Sequence, residues 1–144
     1  MKALWMYLPA FFLMSGMCFA QEGMTAAAGP LNACPKSPNC VSSGAGDTLH
    51  AIAPLTYSDS REEAFARLKK VLSAMKRTTI VAEKEDYLHA EARSLIFRFV
   101  DDVEFYFPVA EKVIHVRSAS RVGYSDMGVN RKRVEEIREK FAML

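Results

Sequence analysis

The chain has 144 residues, 25% of them charged, and its formal net charge at neutral pH is only +2. A nucleic-acid-binding domain is usually far more basic, so we expect no nucleic-acid partner. Once an export signal is removed, the remaining length is enough for one small domain and too short for two.

The first twenty residues have the features of a secretory signal peptide. Lys2 supplies a positive start, an apolar run follows, and the segment ends in small residues at Ala20. We therefore expect residues 1–20 to be removed and the mature protein to be periplasmic or secreted. Two alternatives stay open, a lipoprotein acylated at Cys18 and an uncleaved segment that anchors the protein in the membrane.

Between the signal and the first helix the chain has no apolar period. Residues 21–33 are expected to be a flexible tether, and residues 34–57 an irregular covering segment. This segment contains Cys34 and Cys40, which should form a structural disulfide in an oxidising compartment. Their spacing does not match a C-x-x-C redox motif and no further ligands lie at zinc-binding spacing, so we predict no metal and no cofactor.

A helix is predicted from about residue 60 to residue 76. Ser60 and Glu63 have the spacing of a capping box, in which each side chain bonds the backbone N–H of the other residue. Apolar residues then recur on one helical face at Phe65, Leu68, Val71, Leu72 and Met75.

The apolar period then changes to two and predicts about four antiparallel strands. The third, "IFRFVDDVEFYF", should be unbroken and point Phe97 and Phe99 inward, and the fourth should end as an edge strand in "RSASR". A second helix should begin near Asn130 as its N-cap. The predicted fold of residues 34–144 is a single α+β domain, with one antiparallel sheet flanked by two helices in the order α-β-β-β-β-α.

Three stretches resemble a known family. "CPKSPNCVSS", "FVDDVEFYFP" and "IHVRSASRVGYSDMGVNRKRVEEIR" are similar to the bacterial and plastid family called domain of unknown function 1499. The similarity spans roughly residues 33–141. It implies one exported or lumenal domain, and it supplies no established activity and no catalytic residue.

The neighbouring carboxylates Asp101 and Asp102 should point to opposite faces of a strand, so they should not share a proton or a metal ion. Asp101 is in phase with the inner aromatic residues, where an unpaired carboxylate is too costly. Three interpretations stay open: a turn that exposes both acids, a structural ion pair, or metal or catalytic use. The candidate cations for the ion pair are Arg93, Arg117 and Arg121.

Residues 117–133 place several cations at the predicted start of the second helix. The free N–H groups of a helix start, together with guanidinium groups, favour an anion such as phosphate or a carboxylate. The simpler alternative is that these charges are solvated or pair with the protein's own acids. The predicted ligand contacts are Arg117, Arg121, Asn130 and Arg131, with Tyr124 as a packing wall.

Three functions follow from these patterns. We favour a non-enzymatic exported domain that binds a small anion, an anionic lipid headgroup or an acidic protein partner through the basic stretch. The second is a small hydrolase or metal-dependent enzyme that uses Asp101 or Asp102 with a histidine. The third is a structural or assembly protein of the cell envelope.

Overall fold

A computed structural model describes residues 29–144. The predicted signal peptide, the candidate lipidation site Cys18 and most of the predicted tether lie outside the described residues. Within residues 29–144, no helix is long and apolar enough to cross a membrane.

Residues 29–144 form two helices and six strands. In chain order they are β1 (Cys40–Ser42), β2 (Leu55–Thr56), α1 (Arg61–Ala74), β3 (Thr78–Glu83), β4 (Tyr87–Arg93), β5 (Val100–Tyr106), β6 (Val113–Ser120) and α2 (Val129–Ala142). The α+β class is confirmed, but the sheet has six strands and not about four. The two additional strands come from the segment that we expected to be irregular.

The strand order is β1-β6-β5-β4-β3, every pair is antiparallel, and β2 also pairs with β6. Strand β6 is therefore an interior strand, and the expectation that it forms an edge was wrong. Residues 40–42 pair with residues 117–119, and residues 55–56 pair with residues 113–114. These short strands give hydrogen-bond partners to backbone groups of β6 that would otherwise face solvent.

Helix α1 begins as its sequence predicts. Ser60 is the N-cap, its hydroxyl accepts from the Glu63 N–H at 3.1 Å, and the Glu63 carboxylate accepts from the Ser60 N–H at 3.0 Å. The capping box is confirmed. The helix ends at Ala74, two residues before the predicted end, a difference within the usual fraying of helix termini.

Both helices cover the same face of the sheet, because strand residues with apolar side chains alternate with polar ones. The inner face is apolar and buried at Leu88, Ala90, Ala92, Val103, Phe105, Ile114 and Val116, and it packs against buried residues of both helices. The polar residues between them lie on the outer face. The period of two in the sequence thus predicted the correct inner face for β4, β5 and β6.

The β4–β5 connection differs from the prediction. Strand β5 starts only at Val100, and the side chains of Phe97 and Phe99 are 74% and 52% exposed. The chain reverses here because Arg98 adopts a left-handed backbone conformation with φ of 53°. Ser94 closes the loop, since its N–H donates to the Phe99 carbonyl and its hydroxyl accepts from the Phe99 N–H, each at 2.9 Å.

Two further features concern the ends of the fold. Helix α2 has Gly128 as its N-cap, so the prediction of Asn130 as N-cap was wrong. The disulfide between Cys34 and Cys40 is confirmed, with a Cα–Cα distance of 5.7 Å.

Candidate functional site

Asn130 lies at the centre of a buried polar network at the start of α2. Its side chain is completely buried and accepts from the Ser118 hydroxyl at 2.5 Å. Its amide donates to Asp126 at 2.8 Å, to the Ser120 hydroxyl at 2.9 Å and to the Asn39 carbonyl at 3.2 Å. The structure therefore places Asn130, a predicted ligand contact, inside the domain, where its hydrogen bonds join α2 to the sheet.

Asp101 forms a buried ion pair with Arg133 in the same region. The Arg133 guanidinium donates to Asp101 Oδ2 at 2.6 Å and to Asn130 Oδ1 at 2.8 Å. Of the three interpretations of the Asp101–Asp102 pair, the structure therefore has an ion pair at Asp101. Its partner comes from α2 and is none of the three arginines that the sequence suggested.

Asp102 lies on the opposite, polar face of the sheet. Two guanidinium nitrogens of Arg121 donate to it at 2.7 and 2.8 Å, and His89 Nε2 lies 2.7 Å away. The hydrogen bonds from Arg121, and secondly the one from His89, hold the pKa of Asp102 below its usual value. At neutral pH Asp102 is thus a carboxylate and no proton donor. Asp101 and Asp102 do not converge, and the histidine that lies beside one of them is His89, next to Asp102.

Two further cations of the basic stretch, Arg117 and Arg131, each have a partner of their own. Arg117 donates to Glu104 at 2.8 Å on the polar face. Arg131 points elsewhere, and donates to the backbone carbonyls of Ala51 at 2.8 Å and Leu49 at 3.0 Å. Arg117, Arg121 and Arg131 therefore each bond to a different part of the domain and are not gathered into one group at the start of α2. The acids that neutralise the first two come from β4 and β5.

A different surface presents apolar side chains to solvent. It lies at the end of the sheet where β4 turns into β5 and where β6 leads to α2, and we call it the apolar tip. Its members are at least 46% exposed, and are Leu95, Ile96, Phe97, Phe99, Val122, Tyr124, Met127 and Val129. The rings of Phe97 and Phe99 stack with centroids 5.5 Å apart. Of the predicted ligand contacts, Tyr124 alone belongs to this surface.

The two loops of the tip face each other across a cavity of about 370 Å³, which is lined by Phe99 of the first loop and by Val122 and Val129 of the second. Val129 also borders a second cavity of about 250 Å³ on the side of α1. The two loops therefore form one continuous surface.

Exposed cations flank the apolar tip. Arg98 lies within the first loop, and Lys132 lies in the first turn of α2. Neither side chain has a hydrogen-bond or ion-pair partner within residues 29–144. Further exposed cations at this end are Lys76, Arg77, Arg93 and Arg121. Among the described residues, no group of three or more histidine, cysteine or acidic side chains is arranged to hold a metal ion.

A family model described as a protein of unknown function (DUF1499) matches residues 30–141. The chain belongs to this family. No curated protein and no solved structure matches the chain.

The resemblance to the DUF1499 family rests on stretches that now have distinct places in the fold. Ser118, Ser120, Asp126 and Asn130 build the buried network that joins α2 to the sheet. The candidate site residues predicted from the sequence did not include the apolar residues of the β4–β5 loop. Their signal was the run "LIF", which interrupts the apolar–polar alternation just before Arg98.

Proposed function

We propose that this DUF1499 domain is a non-enzymatic module of the cell envelope that binds an anionic lipid surface through its apolar tip. The observation that carries the proposal is the joint exposure of two apolar loops beside unpaired cations at one end of the sheet. The sequence suggested a small anion, an anionic lipid headgroup or an acidic protein as the ligand, and the proposal selects the lipid. It places the contact surface at the apolar tip instead of the start of α2.

The apolar part of the surface is suited to a membrane interface. Soluble monomers rarely expose a contiguous apolar surface of this kind without a binding role. An aromatic side chain contributes roughly 150–250 Å² of surface, worth about 25 cal/mol per Å² when it leaves water. Partial insertion of Phe97, Phe99 and their neighbours would thus contribute several kcal/mol, in the way that interfacial segments enter the headgroup region.

The charged part of the surface selects among membranes. A lysine or arginine close to an anionic membrane contributes about 1 kcal/mol. Arg98 lies between the two phenylalanines, and residues 94–99 contain no acid. The cations would therefore reach lipid phosphates while the rings enter the interface. We propose that this domain is exported, and an exported protein would meet anionic membrane surfaces in the cell envelope.

The proposal is tested by sedimentation with lipid vesicles. The protein is recovered after export, so that the predicted signal is not the source of binding, and its N-terminus is determined by mass spectrometry. We expect binding to vesicles of phosphatidylcholine with phosphatidylglycerol and much weaker binding to phosphatidylcholine alone. Phe97→Ser should weaken binding to the anionic vesicles by about tenfold, which corresponds to 1.4 kcal/mol.

Two matched controls decide whether the tip is responsible. Val109 is 86% exposed in the β5–β6 loop, at the opposite end of the sheet, so Val109→Ser should leave binding unchanged. Arg98→Glu should weaken binding, whereas Lys70→Glu on α1 should have little effect. Equal effects of the tip and control variants, or no binding by the unaltered protein, would refute the proposal. Self-association through the tip would favour the assembly hypothesis instead.

A further inference from the structure

The cavity between the two tip loops is lined by both polar and apolar groups. Its volume is about 370 Å³, and its apolar wall is formed by Phe99, Val122 and Val129. The polar groups that line it include Asp101, Ser120 and Ser125. Asp126 also lines the cavity, but its carboxylate accepts from the Gly128 N–H at 2.9 Å and the Asn130 N–H at 2.8 Å, so it serves to cap α2.

Asp101 brings an incompletely paired carboxylate to this cavity. Nine-tenths of its side chain is buried, with 10% exposed. Arg133 occupies Oδ2 at 2.6 Å, whereas Oδ1 has no hydrogen-bond partner within residues 29–144. Oδ1 is not fully buried, and a carboxylate oxygen forms its strongest hydrogen bonds with a charged donor.

The hydroxyl groups of the cavity retain free protons. Ser120 Oγ accepts from the Asn130 amide at 2.9 Å, and Ser125 Oγ accepts from the Met127 N–H at 3.3 Å. Because each oxygen acts as an acceptor in these bonds, its own O–H remains available to donate. The cavity thus offers one carboxylate acceptor and two hydroxyl donors beside an apolar wall.

We infer that this cavity binds a phosphoethanolamine group, with the primary ammonium on Asp101 and the phosphate oxygens near the hydroxyls of Ser120 and Ser125. The two methylene groups of such a ligand would pack against the apolar wall. A free anion is disfavoured by the carboxylate. A divalent cation such as calcium needs six or more oxygen ligands, whereas Asp101 offers one free oxygen.

The same group exists as a soluble molecule and as the headgroup of phosphatidylethanolamine. The lipid source rests on the proposed function, because the cavity meets a headgroup only when the tip contacts a membrane. The tests therefore use both forms. In each, the control ligand is the choline analogue, which keeps the charges but has no N–H to donate.

The first test follows backbone amide shifts by NMR during titration with O-phosphoethanolamine. We expect saturable shifts at the residues that line the cavity, and weaker ones with phosphocholine. Ser125→Leu fills the cavity without touching the ion pair and should abolish these shifts. Asp101→Asn should abolish them too, while Asp59→Asn, which alters a carboxylate–arginine pair elsewhere, should not.

The second test compares vesicles of equal phosphatidylglycerol content that contain phosphatidylethanolamine or phosphatidylcholine. We expect about tenfold tighter binding to the former, equal to 1.4 kcal/mol, and no preference in Ser125→Leu. Failure to bind either vesicle refutes the proposed function. Binding to both without preference, together with no NMR shifts, overturns this inference alone. NMR shifts without vesicle preference support the cavity site and overturn the lipid source.

Discussion

The guanidinium group of Arg133 lies 2.6 Å from the carboxylate of Asp101, and the two side chains are only 12% and 10% exposed. This pair joins the second turn of α2 to strand β5 beneath the apolar tip. It explains why a cation stands at the start of a helix, where the helix dipole disfavours it. The charge belongs to the packing of α2 on the sheet, and no external anion is needed to account for it.

The first prediction concerns the stability contributed by this pair. Arg133→Met leaves Asp101 buried without its partner and should lower the free energy of unfolding by about 3–5 kcal/mol. Urea denaturation measures the change. Lys140→Met removes an exposed pair with Glu136 and should cost less than about 1 kcal/mol. Similar losses in both variants would show that the Asp101–Arg133 pair contributes no more to stability than an exposed ion pair does.

The second prediction separates a buried amide from a helix cap. Asn130→Ala leaves several buried partners unsatisfied, so it should destabilise the protein by about 3 kcal/mol. Ser60→Ala removes the cap of α1 and should cost about 1 kcal/mol. Both are measured by urea denaturation under the same conditions. If the loss at Asn130 did not exceed the loss at Ser60, the buried network would contribute little.

The third prediction tests the anion site that the sequence suggested. Arg131 holds the backbone carbonyls of Ala51 and Leu49, so Arg131→Met should lower the free energy of unfolding by about 1–3 kcal/mol. Phosphate should shift the melting temperature of this variant by as much as that of the unaltered protein. A shift that disappears in Arg131→Met would instead place an anion at this side chain.

The fourth prediction is a pH dependence from the pair of Asp47 and His50. Their side chains bond at 2.8 Å, and His50 Nε2 lies 3.1 Å from the Ser37 carbonyl. The bond to Asp47, and secondly that to Ser37, raises the pKa of His50 above its usual 6.5. The bonds with His50 lower the pKa of Asp47 below its usual 3.8.

The sign of the effect follows from these two shifts. A raised histidine pKa gives stability that is complete below pH 6.5 and is lost as the pH rises through the folded-state pKa. A lowered aspartate pKa gives stability that is present above pH 3.8 and is lost as the pH falls through the folded-state value. Relative to His50→Gln, the unaltered protein should therefore lose stability as the pH rises from 6.5 through the folded-state pKa of His50. A constant difference across this interval would contradict the prediction.

The fifth prediction links the disulfide to the tip. Between Cys34 and Cys40 lies Asn39, whose amide donates to the Gly123 carbonyl in the β6–α2 loop at 2.6 Å. Replacing both cysteines by serine should cost about 2 kcal/mol, since the closed loop is short. The replacement should also increase the rate of amide hydrogen exchange in residues 121–128 by more than it increases the rate in α1. Unchanged exchange in residues 121–128 would show that the disulfide loop does not hold this part of the tip.

Local patterns in the sequence determined both helices, four of the six strands and the inner faces of those strands in the middle of the sheet. The capping box at Ser60, the helical period of α1 and the alternation in β4 and β6 each depend on residues within a few positions of one another. Such patterns reflect the geometry of a single helix or strand. The disulfide was equally local, because its two cysteines lie only six positions apart.

The tertiary structure alone decided which charges meet and which apolar residues stay exposed. Arg133 pairs with Asp101 across 32 positions of the chain, and Arg131 reaches Ala51 across 80. The left-handed turn at Arg98 brings Phe97 and Phe99 out of the core, although their spacing matches the inner face of β5. A periodic pattern gives the face of a side chain only while the strand continues. Where the chain turns, and which distant carboxylate meets a given cation, is fixed by the packing of the whole domain.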